Sequence, residues 1–513
     1  MFCYALLMMV SYYILKTIRE PLLLTGSSAE IKSYAYAATA GLLLFIVPLY
    51  GMVFRRTGKQ QLTRYITLFF LANLLVFYFM GQTGVGIGFA YYVWVGIFSV
   101  MITAQFWAFA ADSFNVKSGQ RLFPVIMIGA TIGGLLAPKL SGALFPTLGP
   151  WTLMLLAMGI LALTLPCVGW SRRLIPSGSR SHVPQEGERK SGGILSGFAL
   201  VFSDRYLLLL ALLILLLNWV NTTGEYILAE LVVRYADARI AAEPALLKAD
   251  IIAGFYGNFF FTVNLLTMLF QVFLVARVMR WIGVNGAVLI LPVIAVIGYG
   301  LIVFVPVFSV IRIIKILENS TDYSLQNTTR HALYLPLSAA KKYEGKTAIE
   351  AFFWRFGDLA QAGAIYAGLH WFGFGIAQFA LVNMVLAFVW LGVAVAVSRN
   401  YTAREQAVSA NHPPQLYHPP AEHYLQPGSA FCFQLPGDTF FDLDEGDVLT
   451  FSAHGDGDER LPDWLNFDSE ILEFSGTTPR DAGAETVLIL RATDFDGAWA
   501  EGSLVLRHFA APG

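Results

Sequence analysis

The chain changes solvent at Arg399. Before it, apolar stretches of about 20 residues follow one another almost without a break, and after it the composition turns acidic and mixed. Apolar runs that long must satisfy their backbone groups internally inside a bilayer, which means helices. Hydrophobic residues make up 56% of the chain and charged residues only 13%, well below the roughly 25% of a soluble protein. The net charge of −1 conceals an asymmetry: residues 1–399 hold 29 Lys and Arg against 16 Asp and Glu, whereas residues 400–513 hold 5 against 19. The acidic tail argues against nucleic acid as a partner. Cys3, Cys167 and Cys432 are too scattered for a disulfide framework or a zinc site. No His pair at metal-ligand spacing, glycine-rich phosphate loop or nucleophile–base set is present, so neither an enzyme nor a resident cofactor is expected.

Six spans precede a polar stretch at 171–205, at roughly 1–24, 34–54, 65–82, 86–111, 122–145 and 151–170. Six more follow, near 206–232, 251–279, 284–305, 307–329, 347–370 and 373–397, the tenth being the least hydrophobic. Basic residues collect after spans two, four, six, eight and ten, for example Arg55 and Arg56, Lys117, Arg172 and Arg173, Arg277, and Lys341 and Lys342. The loops after spans three, five and nine carry none. By the positive-inside rule both termini lie in the cytoplasm, and the expected location is a bacterial inner membrane.

The expected organisation is an all-α polytopic unit followed by a small all-β sandwich. Its parts are a six-helix half (1–170), a basic loop (171–205), a second half (206–399), a proline-rich linker (400–428) and the sandwich (429–513). Six plus six helices around a basic central loop resemble the major facilitator superfamily, whose halves rock about a midplane site. The stretch Gly51–Gln60, with Arg55, Arg56, Gly58 and Lys59, is similar to that superfamily's loop motif, with Arg55 where an acid is usual.

Charges inside a span cost about 3 kcal/mol unless they face a cavity or a partner. Lys16, Arg19 and Glu20 share one face of the first span, where Lys16 can pair with Glu20 while Arg19 faces an anion. The seventh carries Glu225 and the tenth Arg312, Lys315, Glu318 and Asp322. The eleventh carries Glu350, Arg355 and Asp358. Substrate binding or gating is the expected role of Lys16, Arg19, Glu20, Glu225, Arg312, Lys315, Asp322, Glu350, Arg355 and Asp358. Interfacial snorkelling and conformation-locking ion pairs are the competing uses of such residues.

Four stretches carry a closer resemblance: Tyr13 to Thr25 with Lys16, Arg19 and Glu20; Phe106-Trp107 leading to Arg121; Ala332 to Ser338; and Gly345 to Glu350. Over residues 5–397 the chain resembles the ATP/ADP translocase-type nucleotide transporters. The family's helix-one cation falls on Arg19, and an acid early in the second half falls on Glu225. Its helix-four acid falls near Val95, and its helix-eleven lysine on Asp358, after Gly357. The resemblance implies the fold and a transport function. Asp358 would repel a polyphosphate, so it does not imply ATP/ADP exchange.

The tail alternates in short runs at Ser429–Gln434, Val448–Ala453, Thr486–Ala492 and Gly502–Arg507. Leu461 to Asp468, Phe474 to Pro479 and Ala492 to Gly497 resemble a dystroglycan-type cadherin-like (Ig-like) domain, which implies a core of Trp464, Leu465 and Phe467. Asp442, Asp444, Asp447, Asp494 and Asp496 are weak calcium candidates. Twelve spans put this domain in the cytoplasm. The expectation is a secondary transporter of a small polar, anionic metabolite. The rival is a membrane-anchored receptor or scaffold whose sandwich binds a protein partner or calcium.

Overall fold

The computed structural model describes residues 1–56, 59–114, 116–174, 194–305, 307–338, 341–408, 412–444, 448–457, 460–481, 483–495 and 497–509. Two compact units emerge, Met1–Arg404 and Glu405–Gly513. In the first, α1 (Phe2–Leu24), α2 (Glu30–Arg56), α3 (Lys59–Gln82) and α4 (Gly88–Ser113) form the first four crossings. α5 (Val116–Ala162) holds the fifth and enters the sixth, because Gly149 turns the chain at φ 70° inside it, a conformation that favours glycine. α6 (Thr164–Leu174) completes the sixth, and α7 (Ile194–Ser203) follows the central stretch.

α8 (Arg205–Ala242) opens the second half. α9 (Lys248–Leu269) runs through a π-helical turn at Phe270–Val275 into α10 (Ala276–Phe304), where Gly283 at φ 66° makes the turn into the ninth crossing. α11 (Phe308–Thr321) continues through a π turn at Asp322–Gln326 into α12 (Asn327–Ala332). The eleventh crossing joins α13 (Lys346–Ala348), a π turn at Ile349–Phe353 and α14 (Trp354–His370), and α15 (Ile376–Val408) is the last. Among the described residues, eight stretches are long and apolar enough to cross a membrane, and two of these, Val125–Trp170 and Lys248–Phe304, have 46 and 57 residues and cross twice. The tenth and eleventh crossings are more polar because their charges turn inward: Lys315, Glu318, Asp322 and Asp358 are all buried. The chain is an integral membrane protein of 6+6 architecture.

The ends of the crossings define two sides, one bearing the basic loops. Side chains at 51–62, residues 57–58 and residues 175–193 lie outside the described residues, and with them most of the loop motif and of the basic central loop. Asp204 gathers the start of the second half on the basic side. It caps α8 through Tyr206 N (2.8 Å) and Leu207 N (3.3 Å), and takes Lys341 Nζ (2.7 Å) and Arg404 Nη2 (3.0 Å). Burial pushes its pKa up, but these donors outweigh burial and hold the carboxyl at about 2.

Among the described residues the second unit has a four-stranded sheet, a three-stranded sheet and a short two-stranded pair. Its strands are β1 (Gln415–Leu416), β2 (His423–Leu425), β3 (Ala430–Gln434), β4 (Phe440–Phe441), β5 (Thr450–Gly455), β6 (Leu465–Asp468), β7 (Glu473–Thr477), β8 (Glu485–Thr493) and β9 (Trp499–His508). The larger sheet runs β2-β9-β8-β5, with β2 parallel to β9, and the smaller runs β3-β7-β6. Leu465 is fully in the core, and Trp464 and Phe467 pack half-buried against it. The proline-rich stretch is not uniformly extended: α15 runs on to Val408, and β1 and β2 lie within it. Pro413, Pro414, Pro419, Pro420 and Pro427 all fall outside those strands, where no ladder N–H is needed.

Candidate functional site

A cavity of about 480 Å³ lies between the two halves, lined by α1, α2 and α4 from one and α8, α9, α11–α12 and α14 from the other. Among the described residues, four cations (Lys16, Arg19, Arg330, Arg355) and four carboxylates (Glu20, Glu225, Asp322, Asp358) line it, with Tyr12, Tyr36, Tyr92, Phe260, Tyr323 and Trp354 between them. The lining reaches Arg330 and Trp354, which lie near the basic-loop ends of their crossings, so the cavity extends from mid-depth toward that side.

Its closed end is an alternating chain of buried charges. Arg19 Nε sits 3.1 Å from Glu20, Lys32 Nζ 3.2 Å from Glu20 and 3.3 Å from Glu225, and Lys315 Nζ 3.8 Å from Glu225 and 3.0 Å from Glu318. Tyr256 and Tyr299 add hydroxyls at Lys32 (3.3 Å) and Glu318 (3.0 Å), and Asn319 donates to Glu225 at 3.0 Å. Gly224 leaves the room this requires, since a Cβ there would collide with the Tyr299 hydroxyl and stand 2.9 Å from Lys315 Nζ. Each charge is desolvated but flanked by the opposite sign, the arrangement in which a buried ion is tolerated. Lys32 and Glu225 belong to different halves, so the chain holds the halves together on the side away from the basic loops. Gln361 to Ser33 (3.0 Å) and His370 to Glu30 (2.8 Å) add contacts on that side, and Leu24 and Ala29 pack into the apolar cluster of the second half.

The structure brings Lys16, Arg19, Glu20, Glu225, Asp322, Arg355 and Asp358 to the cavity wall. Lys315 stands behind it in the ion chain, whereas Arg312 faces a separate cleft. Glu350 lies in the π turn outside the cavity, and its Oε1 has no hydrogen-bond partner among the described residues. Glu20 pairs with Arg19 and Lys32 rather than with Lys16. Lys16 instead lies among aromatic faces, 4.5 Å from the Phe260 centroid and 5.3 Å from that of Tyr13. Arg19 also packs on Tyr92, 4.1 Å from its centroid. Asp358 accepts from Asn218 Nδ2 at 2.8 Å. Val95 is fully buried in the apolar cluster of the first half.

Lys32 escapes the charge pattern because α2 begins at Glu30, one turn before the expected span. The signal was a lone lysine in a segment on the side where the loops after spans three, five and nine lack cations. Arg330, 4.7 Å from the Trp354 ring, reads as a loop residue in sequence but lines the cavity.

In the second unit Asp444 is bound to His412 (2.9 Å), Asp442 accepts from Asp444 N (2.8 Å), and Asp494 accepts from Ala498 N (2.8 Å). Asp447 and Asp496 lie outside the described residues. Among the described residues no cluster of three or more His, Cys, Asp or Glu could hold a metal ion.

Comparison with known proteins separates the same two parts. The profile "TLC ATP/ADP transporter" matches residues 295–401, and "Putative Ig domain" matches residues 413–507. The chain is 24% identical over 363 residues to ADP,ATP carrier protein 1 of Chlamydia pneumoniae, covering 61% of this chain and 67% of the relative. It is 24% identical over 357 residues to ADP,ATP carrier protein 1 of Chlamydia trachomatis, covering 60% and 64%. The matches thus span about two thirds of these relatives' length. Among solved structures, an inward-facing, unoccupied bacterial homolog of the human lysosomal transporter Spinster superposes at TM-score 0.51 and 14% identity, over 78% of this chain and 98% of that one. The nucleoside transporter NupG superposes at 0.51 and 14%, over 79% and 99%. A bacterial homologue of the iron transporter ferroportin, inward-facing, superposes at 0.53 and 12%, over 77% and 97%. The membrane unit therefore has a major-facilitator fold, with sequence similarity to ADP,ATP carriers, and carries an Ig-like domain at its C-terminal side.

Proposed function

We propose that the membrane unit is a secondary transporter that moves a small, polar, anionic metabolite by alternating access of its two halves. The observation that carries this reading is the inter-half cavity, where Lys16 and Arg355 face the space with no carboxylate ion pair among the described residues. An anionic solute would satisfy them, and the aromatic wall would hold its apolar part. The kinship with ADP,ATP carriers supports a solute related to nucleotides. The equal number of cations and carboxylates, Asp358 among them, favours one of low net charge over a triphosphate. Lys16 and Arg355 contact the solute in this reading, and Arg330 joins them. Arg19, Glu20, Lys32, Glu225 and Lys315 form the gate, and Asp322 and Asp358 select against polyanions. The basic-loop side is the cytoplasm of a bacterial inner membrane, with both termini there.

Thermal stabilisation of the purified protein over a panel of anionic metabolites, ATP and ADP included, tests the reading. A hit that Lys16→Gln abolishes supports it, because that substitution breaks no ion pair. A panel without hits, or a hit indifferent to both Lys16→Gln and Arg355→Gln, refutes it.

A second reading, a membrane-anchored receptor or scaffold, draws on the Ig-like unit. Val448, Phe495 and Trp499 are 76%, 86% and 52% exposed. They gather at one end of the larger sheet, where Thr450, Thr493 and Trp499 stand in register. Such a surface suits a protein partner, the resemblance to dystroglycan-type cadherin-like domains suggests calcium as well, and removal of residues 409–513, which leaves α15 whole, would then abolish function while a transporter kept its flux.

A further inference from the structure

A second, lateral cleft of about 390 Å³ opens between α8, α9 and α11 and, among the described residues, shares no lining residue with the central cavity. It lies near the ends of these helices on the side away from the basic loops. Arg312 is four residues into α11 and Asp250 two residues into α9, so they lie about 6 Å and 3 Å from the helix ends, the depth of lipid headgroups. Tyr235, Phe308 and Phe255 wall the cleft, with ring centroids 4.9 Å and 5.3 Å apart in succession.

Arg312 and Asp250 carry opposite charges in one cleft, yet among the described residues neither is ion-paired, with the other or with any third group. Among the described residues the guanidinium of Arg312 meets the Phe255 ring alone, 5.8 Å from its centroid. Arg239 lines the cleft as well but is shared with Glu243 at 3.3 Å. At headgroup depth an arginine without a carboxylate partner is open to the anionic groups of lipids, and a carboxylate without a cation is open to their ammonium groups. A ligand that bears both a phosphate and an ammonium group satisfies the two at once. Ile313 and Leu317, 64% and 40% exposed, flank Arg312 with the apolar surface a lipid-facing helix presents, which favours a lipid over a dissolved solute. We propose that this cleft binds the headgroup of an aminophospholipid, with its phosphate on Arg312 and its ammonium on Asp250. The aromatic walls hold the ammonium and the first part of the acyl chains.

The full chain in detergent, titrated with dioleoyl phosphatidylethanolamine or dioleoyl phosphatidylglycerol, tests this through its thermal midpoint. Phosphatidylethanolamine is expected to raise the midpoint by about 3 °C, and phosphatidylglycerol by clearly less. Arg312→Gln removes both shifts and Arg312→Lys retains part of them. Asp250→Asn, an independent variant, removes the preference between the two lipids. Equal shifts for both lipids in the wild type, or shifts unchanged in Arg312→Gln and Asp250→Asn, overturn the proposal. So does equal stabilisation by soluble phosphoethanolamine, which would assign the cleft to an aqueous solute.

Discussion

Replacing Lys32 by methionine removes the cation that joins the two halves. Its ammonium stands 3.2 Å from Glu20 and 3.3 Å from Glu225, and the three side chains are 1%, 1% and 12% exposed. Breaking a buried pair from one side costs about 3–5 kcal/mol, because the remaining carboxylates stay desolvated without a partner. Glu20 keeps Arg19 at 3.1 Å, and Glu225 keeps Asn319 at 3.0 Å and Lys315 at 3.8 Å, which places the loss at the lower end, about 3 kcal/mol. The loss falls mainly on the conformation closed on this side, since parting the halves rehydrates both carboxylates. The closed-to-open ratio should then fall about 100-fold. A cysteine at Ala29, fully buried against the second half, in a background free of Cys3, Cys167 and Cys432, reports the opening through a membrane-impermeant maleimide. Faster labelling in Lys32→Met, largely reversed when Glu225→Gln is added, is the expected result. Labelling equal to wild type would show that the ion chain does not hold the halves together.

Three further outcomes are expected. Gly257→Ala puts a Cβ 2.8 Å from the Gly142 Cα and 2.7 Å from the Pro138 carbonyl oxygen, so α5 and α9 must separate, and the same Ala29 cysteine should label faster. The Asp204 carboxyl, lowered from 3.8 to about 2, contributes stability that is fully present above the unfolded pKa and is lost as pH falls through the folded one. About 2 kcal/mol should therefore disappear between roughly pH 4 and pH 2, and Asp204→Asn should flatten that part of the pH–melting curve. Phe474 is fully buried, with the Phe467 centroid at 4.6 Å and that of Phe433 at 5.5 Å, so Phe474→Ala should destabilise the Ig-like unit by about 3–5 kcal/mol, seen as lost hydrogen-exchange protection in β6–β8.

The crossings were legible because hydrocarbon thickness sets their length: α1 covers Phe2–Leu24 where the apolar run spans 1–24. The tenth span looked weakest for the same physical reason that makes it central, since Lys315, Glu318 and Asp322 lower its hydropathy yet all lie buried in the protein interior. Helical spacing also put Arg19 and Glu20 on the face of Lys16, three and four residues on from it. It could not choose the partner of Glu20, because that choice rests on Lys32 from the next helix and on Glu225, 193 residues beyond Lys32. Hydropathy hid Lys32 itself, as a charged first turn reads as loop. In the Ig-like unit, alternation marked β3, β5, β8 and β9 but not the parallel pairing of β2 with β9, which depends on register between strands about 80 residues apart.

Uptake into proteoliposomes made with the full chain tests the central claim most directly, using whichever anionic metabolite stabilises the protein. The account predicts saturable uptake that Lys16→Gln and Arg355→Gln each reduce by at least about tenfold, the loss of one charge-assisted contact worth about 1.5 kcal/mol or more. Uptake that persists at wild-type rates in both variants, or is absent in the wild type, would contradict it.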